Sequence, residues 1–144
     1  MNLTTFLKKK DFETAYNMLD KQGFVYSINN VVKMFPRCDS LLLYAFLMYA
    51  VSKEDTVEKH VTICECLVYI NPYIYESNSL VYWHIMHALS LGEKRIKAMS
   101  WAIEVFGSDP SSPFSNTELE TFAKCVIEEE PNNKIAKTIL DLCE

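Results

Sequence analysis

Two histidines three residues apart, His84 and His87, and a histidine and cysteine four apart, His60 and Cys64, have the spacing in this chain that best suits metal chemistry. Positions three and four apart share one face of a helix, so each pair could offer two ligands to one ion, and the four together could imitate a zinc site. Both pairs are embedded in strongly apolar sequence, however, and Cys64-Glu65-Cys66 lacks the two-residue gap of a zinc finger. Packed or half-exposed histidines are the simpler expectation, and neither a metal nor a cofactor is expected.

A cysteine nucleophile needs a histidine base within hydrogen-bond reach and an oxyanion donor, and the spacing supplies neither. Cysteines on apolar helix faces are usually inert core residues. Carboxylates cluster at Glu54-Asp55 and at Glu128-Glu129-Glu130. The first pair is expected at a helix start, where the helix dipole favours negative charge, and the second at a solvated end. Gly-x-Ser-x-Gly, His-Glu-x-x-His, P-loop and dinucleotide-binding patterns do not occur. The chain therefore reads as a non-enzyme with no catalytic residue.

Its aromatic side chains are more suggestive. Of eight phenylalanines, eight tyrosines and two tryptophans, Tyr69, Tyr73, Tyr75, Tyr82 and Trp83 crowd the middle of the chain. Tyrosine and tryptophan join a large apolar area to a polar tip, which is why they dominate binding hot spots. Taken singly, each is more simply a filler of gaps between helices. An exposed tyrosine cluster would also suit a homodimer interface.

The elements that must position these residues are helices. With 144 residues, 49% hydrophobic and 23% charged, the composition is that of one globular domain over 1–144. A chain of this size buries roughly 70% of its unfolded surface, so it needs no disulfide or structural metal. Three glycines and five prolines are too few for the turns of a β-sandwich or for a phosphate loop. A net charge of −5 opposes binding to a phosphate backbone, so no nucleic acid is expected as partner. Five cysteines without a Cys-x-x-Cys pair, behind an N-terminus lacking secretory features, point to a reduced cytoplasmic setting. The longest strongly apolar run, 41–51, falls short of the roughly 20 residues needed to cross a bilayer, so no membrane partner is expected.

Apolar residues recur three and four apart almost throughout. From Asp11 to Gln22, Phe12, Ala15, Met18 and Leu19 share one face, with Asp11 as cap and Gly23 as terminator. A helix from about Tyr26 to Met34 stops before Pro36, and another, capped by Asp39 or Ser40, runs to about Ser52. Ser52 or Asp55 opens the next, carrying Val57, Val61, Cys64, Leu67 and Val68 inward until Asn71-Pro72. Ser77 to Leu91 forms a helix, Gly92 a turn, and Lys94 to Phe106 the return. Beyond the loop 108–113, Ser115 and Glu118 form a capping box for a helix to Glu129, and a last helix ends near Leu142. Pro36, Pro72 and Pro110 recur at nearly even spacing with two helices between each, which is the period of a helical-hairpin repeat. One hairpin cannot bury both its apolar faces, so stacking is the physical solution.

Lys10-Asp-Phe-Glu-Thr-Ala15 resembles the turn and second-helix opening of a tetratricopeptide repeat, with lysine where a glycine is usual. Glu130-Pro131-Asn132-Asn133 resembles that repeat's terminating segment. Ala98, Ala102 and Val105 fall where the repeat places small packing residues, whereas His60, Cys64 and Leu67 occupy the same register one hairpin earlier, with His60 where alanine is usual. The resemblance implies an all-α, right-handed stack of antiparallel helical hairpins with eight to nine helices. It also implies that the first helix of each hairpin lines a concave groove. Leu42, Tyr49 and Lys53 would face it from one hairpin and Trp83, His87 and Ser90 from the next, Tyr49 and Trp83 as anchors and Lys53 and His87 as polar selectors.

The leading functional expectation is thus a protein–protein interaction module that holds a peptide or protein in an aromatic groove. A second is a bacterial immunity or antitoxin protein whose carboxylates block a basic toxin, an encounter that negative charge would accelerate. The third is a metal-binding protein or enzyme using His60, Cys64, His84 and His87.

Overall fold

The computed structural model describes residues 3–36, 38–70 and 76–143, and every regular element among them is helical. The chain divides into two compact units, Met1–Ser77 and Asn78–Glu144.

In the N-terminal unit, α1 (Leu3–Lys8) buries Leu3 and Leu7 and packs on α2 (Phe12–Lys21). The reversal between them places Lys10 at φ +60, in the left-handed region, and Asp11 then caps α2 by accepting from the Thr14 amide at 3.2 Å. Ala15 and Leu19, one turn apart, are sealed in the core, while Phe12 and Met18 are partly covered. Gly23 ends the reversal at φ +65, as a C-terminal glycine should. Next, α3 (Ile28–Met34) begins two residues later than its apolar pattern suggests, because Ser27 caps it through the Asn30 amide.

Asp39 caps α4 (Ser40–Lys53) by accepting from the amides of Leu41 and Leu42. Its Leu43, Phe46, Leu47 and Ala50 line the unit's core, where Phe46 meets the rings of Phe12 and Phe35 at 5.8 and 5.6 Å. The cap of α5 (Val57–Glu65) is Thr56, which accepts from the Lys59 amide, rather than Ser52 or Asp55. Ser52 instead donates to the Tyr49 carbonyl inside α4. Glu54 correspondingly terminates α4 and does not stand at a helix start. Val57, His60, Val61 and Cys64 are buried along α5, and the chain then widens into a π-helical turn, Cys66–Ile70, that buries Leu67 and leaves Tyr69 exposed. Asn71-Pro72, Tyr73 and Tyr75 lie outside the described residues.

In the C-terminal unit, α6 (Ser77–Ser90) buries Val81, His84, Ile85 and Ala88, an i, i+3, i+4, i+7 face, and exposes Trp83 and Met86. Gly92 and Lys94 take φ of +79 and +48 to reverse the chain into α7 (Arg95–Phe106). Ala98, Met99, Ala102, Ile103 and Phe106 form the core face of α7. Ser115 and Glu118 complete the capping box of α8 (Asn116–Glu129), each side chain bonded to the other's amide. Asn133 caps α9 (Lys134–Leu142), which packs on α7 and α8 around Ala136 and Ile139. No helix among the described residues is long and apolar enough to cross a membrane.

Candidate binding surfaces

On α6, Trp83 keeps half its surface, 50%, in solvent. An indole so exposed would ordinarily be free to rotate, yet this one is held on two sides. The His87 ring stacks on it at 5.0 Å between centroids with planes 10° apart, and the fully buried His84 ring meets it edge-on at 4.9 Å. One turn farther on, the Ser90 hydroxyl donates to the His87 carbonyl. Met86, also exposed, lies one turn from Trp83 and adds a polarizable apolar neighbour. The three sequence-predicted residues of α6 are thus gathered on one stretch of helix around a pre-oriented aromatic side chain.

The α4 residues form a second cluster. Tyr49 is half-buried, with its ring 5.8 Å from Phe12 and 6.2 Å from Tyr16, and the Lys53 ammonium lies 5.1 Å from the Tyr49 centroid. That distance is within the range of a cation–π contact. Leu42 is partly covered near the start of the same helix. Tyr49 is therefore integrated with α2 on one side and offers only part of its ring, whereas Trp83 offers half of its whole surface.

His60 and Cys64 are both fully buried. Nε2 of His60 lies 2.6 Å from the Asp55 carboxylate, so the histidine that fits poorly at a small-residue position is accommodated by an acidic partner five residues back. Burial, with Glu65 and Cys66 adding negative charge, pushes the Cys64 thiol well up, and burial with Glu65 beside it pushes Cys66 to about 12. Thiols held protonated in this way are weak nucleophiles and weak ligands at neutral pH. Glu128, Glu129 and Glu130 are exposed at the end of α8, and Glu130 accepts from the Asn133 side chain.

One group had no place among the sequence candidates. Lys59 is only 4% exposed and directs its ammonium at the carbonyls of Ala50, 3.2 Å, and Glu54, 2.7 Å, at the C-terminal end of α4. The negative end of that helix attracts it. A lysine in the first turn of a helix, as Lys59 is in α5, opposes its own helix dipole, and this is the signal in the sequence that it serves a neighbouring element. No protein-family model, curated protein or solved structure matches the chain.

Proposed function

We propose that the protein is a non-enzymatic interaction module, a degenerate tetratricopeptide-like array of helical pairs that binds a peptide or another protein. The single observation that carries this reading is Trp83: half in solvent, yet fixed by His84 and His87 beside exposed Met86. A large aromatic side chain ordered before its partner arrives loses little entropy on binding, which is how hot-spot anchors act. Tyr49 with Lys53 over its ring supplies a second, smaller contact surface on α4. The repeat resemblance is supported by the left-handed Lys10, which stands at the repeat's usual glycine position, and by successive packing of α4 on α5 and of α7, α8 and α9.

A display library of random peptides panned against the whole chain tests this reading. Peptides that bind the wild type and lose at least tenfold in affinity to Trp83→Ala, with melting temperature retained, support it; the absence of any saturable peptide, or equal binding to both chains, contradicts it.

A second reading, neutralisation of a basic protein in the manner of an immunity protein, is favoured by the net charge of −5 and the exposed run Glu128-Glu129-Glu130. Charge-steered binding would weaken steeply with salt, whereas binding to the Trp83 surface would not.

A further inference from the structure

Around Lys59 the N-terminal unit holds a cavity of about 180 Å3, lined by Tyr16, Asp20, Phe24, Tyr26, Glu54 and Lys59, among others. We propose that this cavity is a binding site for the alkylammonium or guanidinium end of a lysine or arginine side chain presented by a partner polypeptide.

The cavity already surrounds one such group. The Lys59 ammonium lies 5.5 Å from the Tyr16 ring and 5.1 Å from the Tyr26 ring, with the Glu54 carboxylate at 4.0 Å, so these walls are built to face an organic cation. Phe24 stands edge-on to Tyr26 at 5.0 Å and extends the aromatic wall away from Lys59. Counting charges, Asp20 and Glu54 against Lys59 leave the lining at −1. The Lys59 charge is itself committed to the carbonyls of Ala50 and Glu54. Burial first, then Asp20 and Glu54, favour the neutral form of the Tyr16 hydroxyl against an opposing pull from Lys53, and burial, Tyr16, Asp20 and Glu54 do the same at Tyr26. A second cation is therefore attracted, and an anion repelled.

Size selects the source. Pockets for drug-sized ligands span roughly 300–1,000 Å3, so a space of about 180 Å3 suits the tip of a side chain rather than a whole cofactor. Asp20 and Glu54 are both exposed and can meet a charge arriving from solvent. At the edge, Gly23 has nothing within 4 Å of where a Cβ would stand, so the approach is open there. None of Leu42, Tyr49, Lys53, Trp83, His87 or Ser90 lines this space, so it stands or falls independently of the Trp83 surface.

The test is an NMR titration of the full chain with N-acetyl-lysine methylamide, N-acetyl-arginine methylamide, butylammonium, N-acetyl-norleucine methylamide and butyrate. The expected result is saturable shifts at residues 16–26 and 54–59 with the lysine or arginine derivative, several-fold tighter than with butylammonium, and none with norleucine or butyrate. Asp20→Asn and Glu54→Gln, both at exposed positions, should each weaken that binding about fivefold while leaving the melting temperature in place. Binding of butyrate, an equal response to norleucine, equal affinity for butylammonium, or indifference to both substitutions would overturn the proposal.

Discussion

The rings of Trp83 and His87 lie parallel, 10° apart in plane and 5.0 Å between centroids, on the exposed side of α6. This contact covers one face of an indole that is half in solvent. Replacing His87 with alanine should release it: acrylamide quenching of tryptophan emission should rise, since the other tryptophan, Trp101, is buried and contributes little. Stability should fall by about 0.5–1.5 kcal/mol, the worth of an aromatic pair. Unchanged quenching would show that the His87 stack is not what orders the ring.

Lys59 joins α5 to the end of α4, where its ammonium donates to the Glu54 carbonyl and, beside the Glu54 amide, to the Ala50 carbonyl. Lys59→Met keeps most of the aliphatic stem but takes the ammonium donor from the Glu54 carbonyl and leaves the Ala50 carbonyl with the Glu54 amide as its donor. Urea denaturation should show a loss of about 1–3 kcal/mol. A loss within error would show that water replaces the ammonium without cost.

Alkaline pH should act through the same cluster. Burial, with Tyr16, Asp20 and Glu54 adding negative charge, holds the Tyr26 hydroxyl well above its ordinary value of 10.0. Below pH 10 both folded and unfolded chains keep this proton, and the stabilisation is fully present; above it the unfolded chain ionises first, so stability falls as pH climbs toward the folded value. Lys59 works in the opposite sense, because burial depresses it from 10.5 and the folded chain is relieved of its charge first. Comparing Tyr26→Phe with the wild type at pH 9 and pH 11 isolates the tyrosine: the wild type should lose more stability over that interval than the variant.

At the end of α7, Gly107 has an ordinary helical φ of −58, so its lack of a side chain matters for space rather than for backbone freedom. A Cβ there would lie 2.8 Å from Ile139 Cδ1 and 2.5 Å from the Ile103 carbonyl oxygen. Gly107→Ala should therefore strain the end of α7 against the Ile103 carbonyl and force the Ile139 side chain to shift, lowering stability by about 1–3 kcal/mol, read by thermal unfolding. Pairing it with Ile139→Val, which withdraws the Cδ1 methyl, should recover part of the loss; no recovery would place the strain at the carbonyl.

Much of the helical order is legible in local sequence because a cap and the amide it satisfies are within three residues of each other. Asp11, Asp39 and the Ser115–Glu118 box all act at the positions their types and spacing indicate. Thr56 is less legible, since Ser52, Asp55 and Thr56 are all good caps in one short stretch, and the choice falls to Asp55 engaging His60 and Ser52 folding back on Tyr49. The π-helical turn after Glu65 leaves the apolar period almost intact and gives no local sign. In α6, apolar residues occur nearly all round the helix, so spacing alone did not decide that Ile85 goes inward and Trp83 outward. The Lys59 cavity depends on partners as distant in sequence as Tyr16 and Glu54, which only the packing of α2, α4 and α5 brings together. Of the residues inferred from the repeat resemblance, Trp83 and His87 form one ordered cluster on α6, and Tyr49 and Lys53 another on α4.

Binding and folding are best separated in one sample, by measuring the affinity of a library-selected peptide and the melting temperature for the wild type and for Trp83→Ala side by side. An interaction module anchored at Trp83 should lose at least tenfold in affinity, about 1.4 kcal/mol or more, with its melting temperature little changed. Retained affinity, or a collapse of the fold that accounts for lost binding, would show that Trp83 is part of the scaffold and not the anchor.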